Sequence, residues 1–153
     1  MTSARLPFFV YGTLRPGEVN HDLFLRGRVR SEEPGLLTGA LLYDGPGYPY
    51  AVEGPGGAVA GELVTPRADA YAELLAVLDE LEEYAPGDPH NLYERVAREV
   101  IRTADGTPVR AWAYVAAPPV AARLRTRGKL IESGDWRLGR TTPPPPPPAP
   151  RTP

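Results

Sequence analysis

The sequence contains no cysteine, and imidazole and serine are scarce, with only His21, His90 and three serines in 153 residues. Without cysteine the chain can form neither disulfide bonds nor thiolate metal sites, and it has no cysteine nucleophile. Two imidazoles are too few for an ordinary zinc site, and no serine lies in the strained strand-to-helix turn of serine hydrolases. The sequence therefore predicts no bound metal.

A strong charge imbalance and a long hydrophobic run are also missing. Charged residues make up 24% of the chain, and the formal net charge is −2. This balance predicts neither a nucleic-acid partner nor a membrane surface as partner. Residues 1–7 contain no apolar stretch of signal-peptide length, so we expect a soluble cytoplasmic protein. A chain of 153 residues most simply forms one domain with its own core.

Proline, in contrast, is concentrated at the C-terminal end. Residues 143–153 read Pro-Pro-Pro-Pro-Pro-Pro-Ala-Pro-Arg-Thr-Pro, a composition that predicts extended polyproline II backbone. The segment can be a docking peptide for an aromatic groove of a partner or a stiff spacer, and the spacer is the favoured interpretation. We predict a folded domain at residues 1–140 and a proline-rich tail at residues 141–153.

Short apolar stretches between glycine- and proline-rich turns predict a mostly β domain with few helices. Gly39 lies inside one of these stretches and indicates a bulge or close packing. Hairpins are expected around residues 54–57 and 104–106. Hairpins mixed with helices favour the α+β class and a small barrel or a strongly curved sheet. The predicted strands cover residues 6–11, 36–43, 50–52, 58–64, 93–101 and 109–115.

The most informative segment is the apolar run Phe8-Phe9-Val10-Tyr11, which stops abruptly at Gly12-Thr13-Leu14. The run predicts a buried strand, and Gly12 allows a bend or a close approach of the backbone. Such a turn can direct several backbone N–H groups toward a carboxylate or an oxyanion. An ordinary turn without a binding role is the alternative that Gly12 alone leaves open.

Residues 69–84 lack glycine and proline and are rich in alanine, leucine and glutamate, which predicts a helix. At about 100° per residue, only one of its five later acids, Glu82, falls inside the apolar arc. The other four, which are expected to face solvent, are Glu73, Asp79, Glu80 and Glu83. A desolvated carboxylate at a helix C-terminus is expected to have a raised pKa, which suits a general acid or base. The alternatives are a frayed helix end and an ion pair with an arginine such as Arg95.

Seven short motifs follow one another in order between residues 8 and 136. The motifs are Tyr11-Gly12-Thr13-Leu14-Arg15-x-Gly17, Gly39-x-Leu41-x-Tyr43 with Tyr48-Pro49, Gly61-Glu62-Leu63, Leu78-Asp79-x-x-Glu82, Tyr93-x-Arg95, Trp112-x-Tyr114 and Ser133-Gly134-Asp135-Trp136. As an ordered set they resemble the γ-glutamylcyclotransferase-like (AIG2-like) family. The Tyr-Gly-Thr-Leu form is most similar to the γ-glutamylamine branch.

The resemblance implies a small mixed β-barrel flanked by helices, with a cavity at one side. It also implies an enzyme in which the α-amine of the substrate attacks its own γ-carbonyl, giving 5-oxoproline and a free amine without a cofactor. By the same resemblance, Tyr11, Gly12, Thr13 and Leu14 hold the glutamyl group and Glu82 is the general acid/base. The expected small-molecule substrates are γ-glutamyl amines, isopeptide-linked lysine or a γ-glutamyl-protected natural-product intermediate.

Tyr48 and Tyr114 are secondary candidates for the pocket wall, although core packing is the favoured interpretation of Tyr114. Arg15 is expected either to meet the substrate carboxylate or to face solvent. Asn20 is expected to cap a short helix at residues 21–26. The sequence departs from the family pattern after Glu82, because glycine usually follows the catalytic glutamate whereas this chain has Glu83.

A non-enzymatic protein is the second hypothesis, in which the cavity serves as a binding module and the proline-rich tail recruits a partner. Glu82 at the matched position favours the enzyme, whereas Glu83 and the proline-rich tail favour the binding module.

Deletion of residues 143–153 should leave the thermal stability of the domain nearly unchanged, because a polyproline segment buries no apolar side chains of its own. Differential scanning calorimetry of the full and shortened chains measures this. A large fall in melting temperature would show that the tail packs on the domain.

Overall fold

The computed structural model describes residues 5–139, in which five strands close into a barrel. Around the barrel the strand order is β3-β1-β5-β4-β2, and pairing of β2 with β3 completes the ring. β1 and β5 run parallel and the other neighbours run antiparallel, so the predicted α+β fold with a small mixed barrel is confirmed. The strands are β1 Phe8–Val10, β2 Val29–Asp44, β3 Tyr50–Pro66, β4 Tyr93–Arg102, β5 Pro108–Ala116 and β6 Lys129–Leu130, which extends the sheet beside β2.

The predicted helix at residues 69–84 is present but shorter. A 3₁₀ turn at Ala68–Ala70 leads into α1, Tyr71–Leu81. The helix expected at residues 21–26 is a single π-helical turn, His21–Leu25. The sequence analysis missed α2, Pro118–Arg127, and α3, Trp136–Gly139. The start of α2 is a Pro-Pro pair, and proline is compatible with the first turn of a helix because the N–H it lacks would have no helical partner there.

The strand β1 is buried on both of its faces, which explains the unbroken apolar run in the sequence. Phe8 and Val10 pack in an outer layer with the leucines of α1, whereas Phe9 and Tyr11 point into the barrel interior. Successive side chains of a strand alternate between faces, so a strand covered on both sides must be apolar at every position. β1 is therefore the wall that the barrel core and the α1 layer share.

The hairpin expected around residues 54–57 is wrong, because these residues lie within the continuous strand β3. β2 and β3 form the hairpin instead, with the pair Tyr43–Tyr50 next to the connecting loop. The pairing passes from Ala40–Glu53 to Thr38–Ala58, so residues 54–57 bulge out opposite Gly39. The bulge predicted at Gly39 is confirmed, and its φ of 76° explains the glycine.

The hairpin predicted around residues 104–106 is confirmed. β4 and β5 pair from Tyr93–Ala116 to Ile101–Pro108. No helix within residues 5–139 combines the length and apolarity needed to cross a membrane. The proline-rich tail and the domain boundary predicted at Arg140 lie outside the described residues.

Replacing Leu78 by Ala should lower the free energy of unfolding by about 2–5 kcal/mol, because a buried leucine leaves a cavity when it is truncated. Leu78 is 0% exposed in the layer between α1 and the barrel. Urea denaturation followed by circular dichroism measures the change. Leu138→Ala is the control, because Leu138 is 77% exposed. Equal losses in the two variants would contradict the packing described for α1.

Candidate active site

A pocket of about 430 Å³, including the part that opens to solvent, lies where β1 ends. It brings together all seven residues that the sequence analysis selected for the site: Tyr11, Gly12, Thr13, Leu14, Tyr48, Glu82 and Tyr114. Pro49, Tyr93 and the β1 residues Phe9 and Val10 complete the lining.

The turn after β1 is fixed by backbone and side-chain hydrogen bonds. The Arg15 N–H donates to the Gly12 carbonyl at 3.1 Å, which closes the turn. Asn20 donates from its backbone N–H to the Thr13 carbonyl (3.1 Å) and from Nδ2 to Thr13 Oγ1 (2.8 Å). Within residues 5–139 no acceptor occupies the N–H groups of Gly12, Thr13 and Leu14. Three backbone donors of the pocket lining are therefore available to an anionic group.

Asn20 stands at the N-cap position of the following helical turn, as predicted, but its side chain makes no capping hydrogen bond. Its Nδ2 instead donates to Thr13, seven residues earlier. Asn20 is buried, so its hydrogen bonds are protected from water. The residue is thus part of the support of the turn.

Gly12 is required by a close approach of two chain segments. A Cβ atom at Gly12 would lie 2.7 Å from Cδ of Pro49, well inside van der Waals contact. Pro49 is itself held by Tyr93, whose hydroxyl donates to the Pro49 carbonyl at 2.8 Å. The turn and the β2–β3 loop therefore meet at the pocket with no room for a side chain between them.

The Tyr11 side chain ties strands together at the base of the pocket. Its hydroxyl donates to the Tyr114 carbonyl at 2.6 Å and accepts from the Ala51 N–H at 3.0 Å. Because Ala51 belongs to β3 and Tyr114 to β5, one buried phenol connects both neighbours of β1. This bond network fixes the position at which the turn begins.

Both expectations for Arg15 are wrong, because its side chain neither lines the pocket nor faces solvent. Arg15 is 6% exposed, and its guanidinium donates to Glu62 at 2.9 and 3.2 Å and to Asp135 at 2.9 Å. These contacts raise the pKa of the guanidinium further above its ordinary value despite burial. Arg15 therefore anchors the far side of the turn to β3 and to the segment before α3.

Glu82 is placed by the way α1 ends. The Glu83 N–H donates to the Glu80 carbonyl and the Tyr84 N–H donates to the Asp79 carbonyl, at 3.0 and 2.8 Å. This pair of bonds is the Schellman ending of a helix. The helix does stop at Leu81, as the fraying alternative supposed, yet the Glu82 side chain is half-buried and lines the pocket.

Glu83 occupies the left-handed position of this helix ending, with a φ of 57°. Among residues 5–139 it is the only residue other than glycine with a positive φ. A side chain in this conformation costs about 1–2 kcal/mol relative to right-handed backbone. The departure from the usual glycine therefore places backbone strain directly beside Glu82.

Asp79 was expected to face solvent, and this prediction is wrong. Its Oδ1 atom accepts hydrogen bonds from Arg95 Nε at 2.8 Å and from the Tyr114 hydroxyl at 2.6 Å. Helical periodicity placed Asp79 outside the apolar arc of α1. In the structure, β4 and β5 also cover this flank of the helix. Burial raises the pKa of the Tyr114 hydroxyl, and the hydrogen bond to Asp79 and the charges of Asp79 and Glu82 act in the same direction. Tyr114 is thus a neutral phenol beside the pocket carboxylate.

Aromatic rings form another part of the pocket wall. The lining residues Tyr48 and Tyr93 both pack on Tyr50, which is not itself part of the lining. Tyr93 stacks on Tyr50 with the ring centroids 4.8 Å apart, and Tyr48 meets Tyr50 edge-on at 5.8 Å. Among the described residues no cluster of three or more histidine, aspartate or glutamate side chains could hold a metal ion. The arrangement combines one carboxylate, backbone N–H donors and phenol rings.

The family model "Gamma-glutamyl cyclotransferase, AIG2-like" matches residues 8–138, which is most of the chain. The chain belongs to this family. A relative from Niallia circulans, named gamma-L-glutamyl-butirosin B gamma-glutamyl cyclotransferase, is 39% identical over 109 residues. That match covers 70% of this chain and 64% of the relative, so the chain spans less than two thirds of the relative's length.

Solved structures of similar proteins have the same fold. An uncharacterized protein from Pyrococcus horikoshii is 27% identical with a TM-score of 0.60, over 87% of this chain and 91% of that one. An AIG2-like protein from Mus musculus is 25% identical with a TM-score of 0.57, over 74% of this chain and 80% of that one.

Several residues of this AIG2-like site were not predicted from the sequence. Asn20 was assigned to another role, Asp79 was assigned to the surface, and Pro49 and Tyr93 were not selected. Asp79, Pro49 and Tyr93 all belong to the ordered motifs, so the motifs contained more of the site than was taken from them. Nothing in the periodicity of α1 alone indicates Asp79, because its partners come from β4 and β5.

Gly12→Ala should destabilise the protein by about 1–3 kcal/mol, because the new methyl group overpacks the contact with Pro49. Gly54→Ala is the matched control, because a Cβ at Gly54 meets no atom within 4 Å. Thermal unfolding of both variants under the same conditions provides the comparison. Equal melting temperatures for the two variants would show that the turn and the loop do not touch as described.

Proposed function

We propose that this protein is a γ-glutamylamine cyclotransferase, a lyase-type enzyme that releases 5-oxoproline and a free amine from a γ-glutamyl amide. The observation that supports this most directly is the position of Glu82 in the same pocket as the N–H donors of the turn. The described residues that line the pocket include no serine, cysteine, lysine or histidine. In this proposal the substrate supplies the nucleophile.

The turn Gly12–Leu14 binds the anionic part of the glutamyl group in this proposal. Its three N–H groups hydrogen-bond the α-carboxylate and the γ-carbonyl oxygen, which gains negative charge during attack. Asn20, Arg15 and Tyr11 hold the turn from behind, so its donors are oriented before the substrate arrives. Preorganised donors of this kind need no rearrangement when the charge develops.

Glu82 moves the protons. An α-ammonium group cannot attack, so the Glu82 carboxylate takes one of its protons and leaves a nucleophilic amine. The nitrogen then attacks the γ-carbonyl carbon and closes a five-membered ring. As the bond from this carbon to the leaving nitrogen breaks, Glu82 delivers a proton to that nitrogen. The two protons that the α-nitrogen loses both end on the amine product, so no water is consumed.

Folding the glutamyl chain into a ring-closing conformation is the second contribution of the pocket. Intramolecular reactions with well-oriented groups gain several kcal/mol over the same reaction between separate molecules. Tyr48, Pro49 and Tyr93 line the pocket beside the turn and restrict the extended conformations of the substrate. The pocket thus promotes the reaction by favouring the ring-closing conformation of the substrate and supplies no nucleophile of its own in this proposal.

The proposed substrates are γ-glutamyl amines, including isopeptide-linked lysine and γ-glutamyl-protected natural-product intermediates. Similarity to a protein named for γ-L-glutamyl-butirosin B supports a substrate in which the glutamyl group is joined to an amine. The pocket opens to solvent, so the glutamyl group is placed at the turn while the amine part extends outward.

Incubation of the purified protein with a panel of γ-glutamyl amines should release 5-oxoproline, measured by chromatography. Glu82→Gln should lower kcat at least about 100-fold, because an amide cannot carry the proton. Glu80→Gln is the control, because Glu80 is an exposed acid on the same helix and should retain activity.

A wild-type protein that binds γ-glutamyl amines of the panel but releases no 5-oxoproline would favour the second hypothesis, a binding module. Equal activity of the wild-type protein and the Glu82→Gln variant would remove Glu82 from the mechanism.

A further inference from the structure

The Tyr114 hydroxyl has one hydrogen-bonding direction already occupied. Its O–H donates to Asp79 at 2.6 Å, and within residues 5–139 no donor occupies its oxygen. A phenol has a single proton to donate, so a phenol committed in this way offers only acceptor lone pairs to any further partner. Because Tyr114 lines the pocket, this acceptor is available to a bound molecule.

Asp79 is held in the position at which it accepts the hydrogen bond from the Tyr114 hydroxyl. The same Oδ1 atom accepts from Arg95 Nε, and the side chains of Asp79 and Arg95 are only 22% and 15% exposed. The Arg95 guanidinium lies over the Trp112 ring at 4.3 Å and near the Tyr84 ring at 5.4 Å. A guanidinium packed against two rings has little freedom to move, so it keeps the carboxylate in register with Tyr114.

The chain connects this pair to Glu82. Asp79 lies three residues before Glu82, one turn earlier on α1, and both carboxylates act electrostatically on the Tyr114 hydroxyl. Tyr114 and Glu82 also line the same pocket, so the phenol oxygen and the carboxylate border one space. Two neighbouring acceptors form a site for a cationic hydrogen-bond donor such as an ammonium group.

We propose that Asp79 is a positioning residue that fixes the Tyr114 hydroxyl as an acceptor, and that this acceptor recognises the free α-ammonium group of the substrate. The inference rests on the proposed function and adds to it a determinant of specificity. An N-acylated glutamyl amide has no ammonium group to offer, so the site discriminates against it before chemistry. The phenol also holds the α-nitrogen beside Glu82, which receives its proton.

A binding experiment tests this proposal without requiring catalysis. In a Glu82→Gln background, calorimetry compares γ-L-glutamyl-methylamide with glutaric acid monomethylamide, which differs only by the missing α-amine. The affinity ratio of these two ligands should fall about tenfold in Tyr114→Phe, because a hydrogen bond to a charged group is lost. Asp79→Leu should lower the ratio by a similar factor, because the released O–H can then donate into the pocket.

Control variants distinguish a positioning role of Asp79 from a purely structural role. Asp79→Asn keeps an acceptor oxygen and should retain most of the ratio. Combined with Tyr114→Phe, Asp79→Leu should lower the ratio no further, since it acts through the missing hydroxyl. If Asp79→Leu does not fold, Asp79→Ser replaces it, because serine is too short to accept from Tyr114 and admits water beside Arg95.

Two results would overturn the proposal. An unchanged ratio in Tyr114→Phe removes the phenol from amine recognition. Equal weakening of both ligands in the Asp79 variant, with the ratio preserved, assigns Asp79 a purely structural role. Failure of the proposed function is distinguishable, because it would appear as the absence of 5-oxoproline release by the wild-type protein, whereas the ratio is measured without turnover.

Discussion

The site depends on the packing of α1 against the strand β1. Leu74 and Leu78 are fully buried in the layer that also contains Phe8 and Val10, so the helix cannot shift without exposing this core. The end of β1 begins the turn with the N–H donors, and the end of α1 presents Glu82. One apolar contact therefore sets the separation between donors and carboxylate, and the residues that form it perform no chemistry themselves.

The end of α1 shows a conflict between local backbone preference and the site. The Schellman ending requires a left-handed residue directly after Glu82, and glycine adopts this conformation without strain. Here Glu83 adopts it with a φ of 57°. The hydrogen bonds to the Glu80 and Asp79 carbonyls and the packing of α1 hold the strained residue in place. The geometry at Glu82 is thus maintained by tertiary packing where local sequence opposes it.

Sequence predicts those parts of this protein that depend on local patterns. The run Phe8–Val10 and the inward position of Glu82 follow from periodicity and alternation, and the barrel and the pocket residues follow from the ordered motifs. The contacts of Asp79, Asn20 and Arg15 were not predicted, because each side chain is fixed by a partner distant in sequence or on another element: Arg95 and Tyr114, Thr13, and Glu62 with Asp135. The sequence predicted two strands where the structure has the single strand β3, because its glycine- and proline-rich bulge resembles a turn. Only the pairing with β2 shows that the strand continues.

The distribution of charge is consistent with the proposal that backbone donors of the pocket bind an anion. An arginine in the lining would pair with Glu82, favour its ionised form and weaken it as a proton carrier. Both arginines of the site region are instead paired with other acids, Arg15 with Glu62 and Asp135 and Arg95 with Asp79. Backbone N–H groups carry only partial charge, so they hold a carboxylate without this effect. The proposed zwitterionic glutamyl group then meets donors at the turn and acceptors at Tyr114 and Glu82, a polarity that a reversed or N-acylated ligand cannot match.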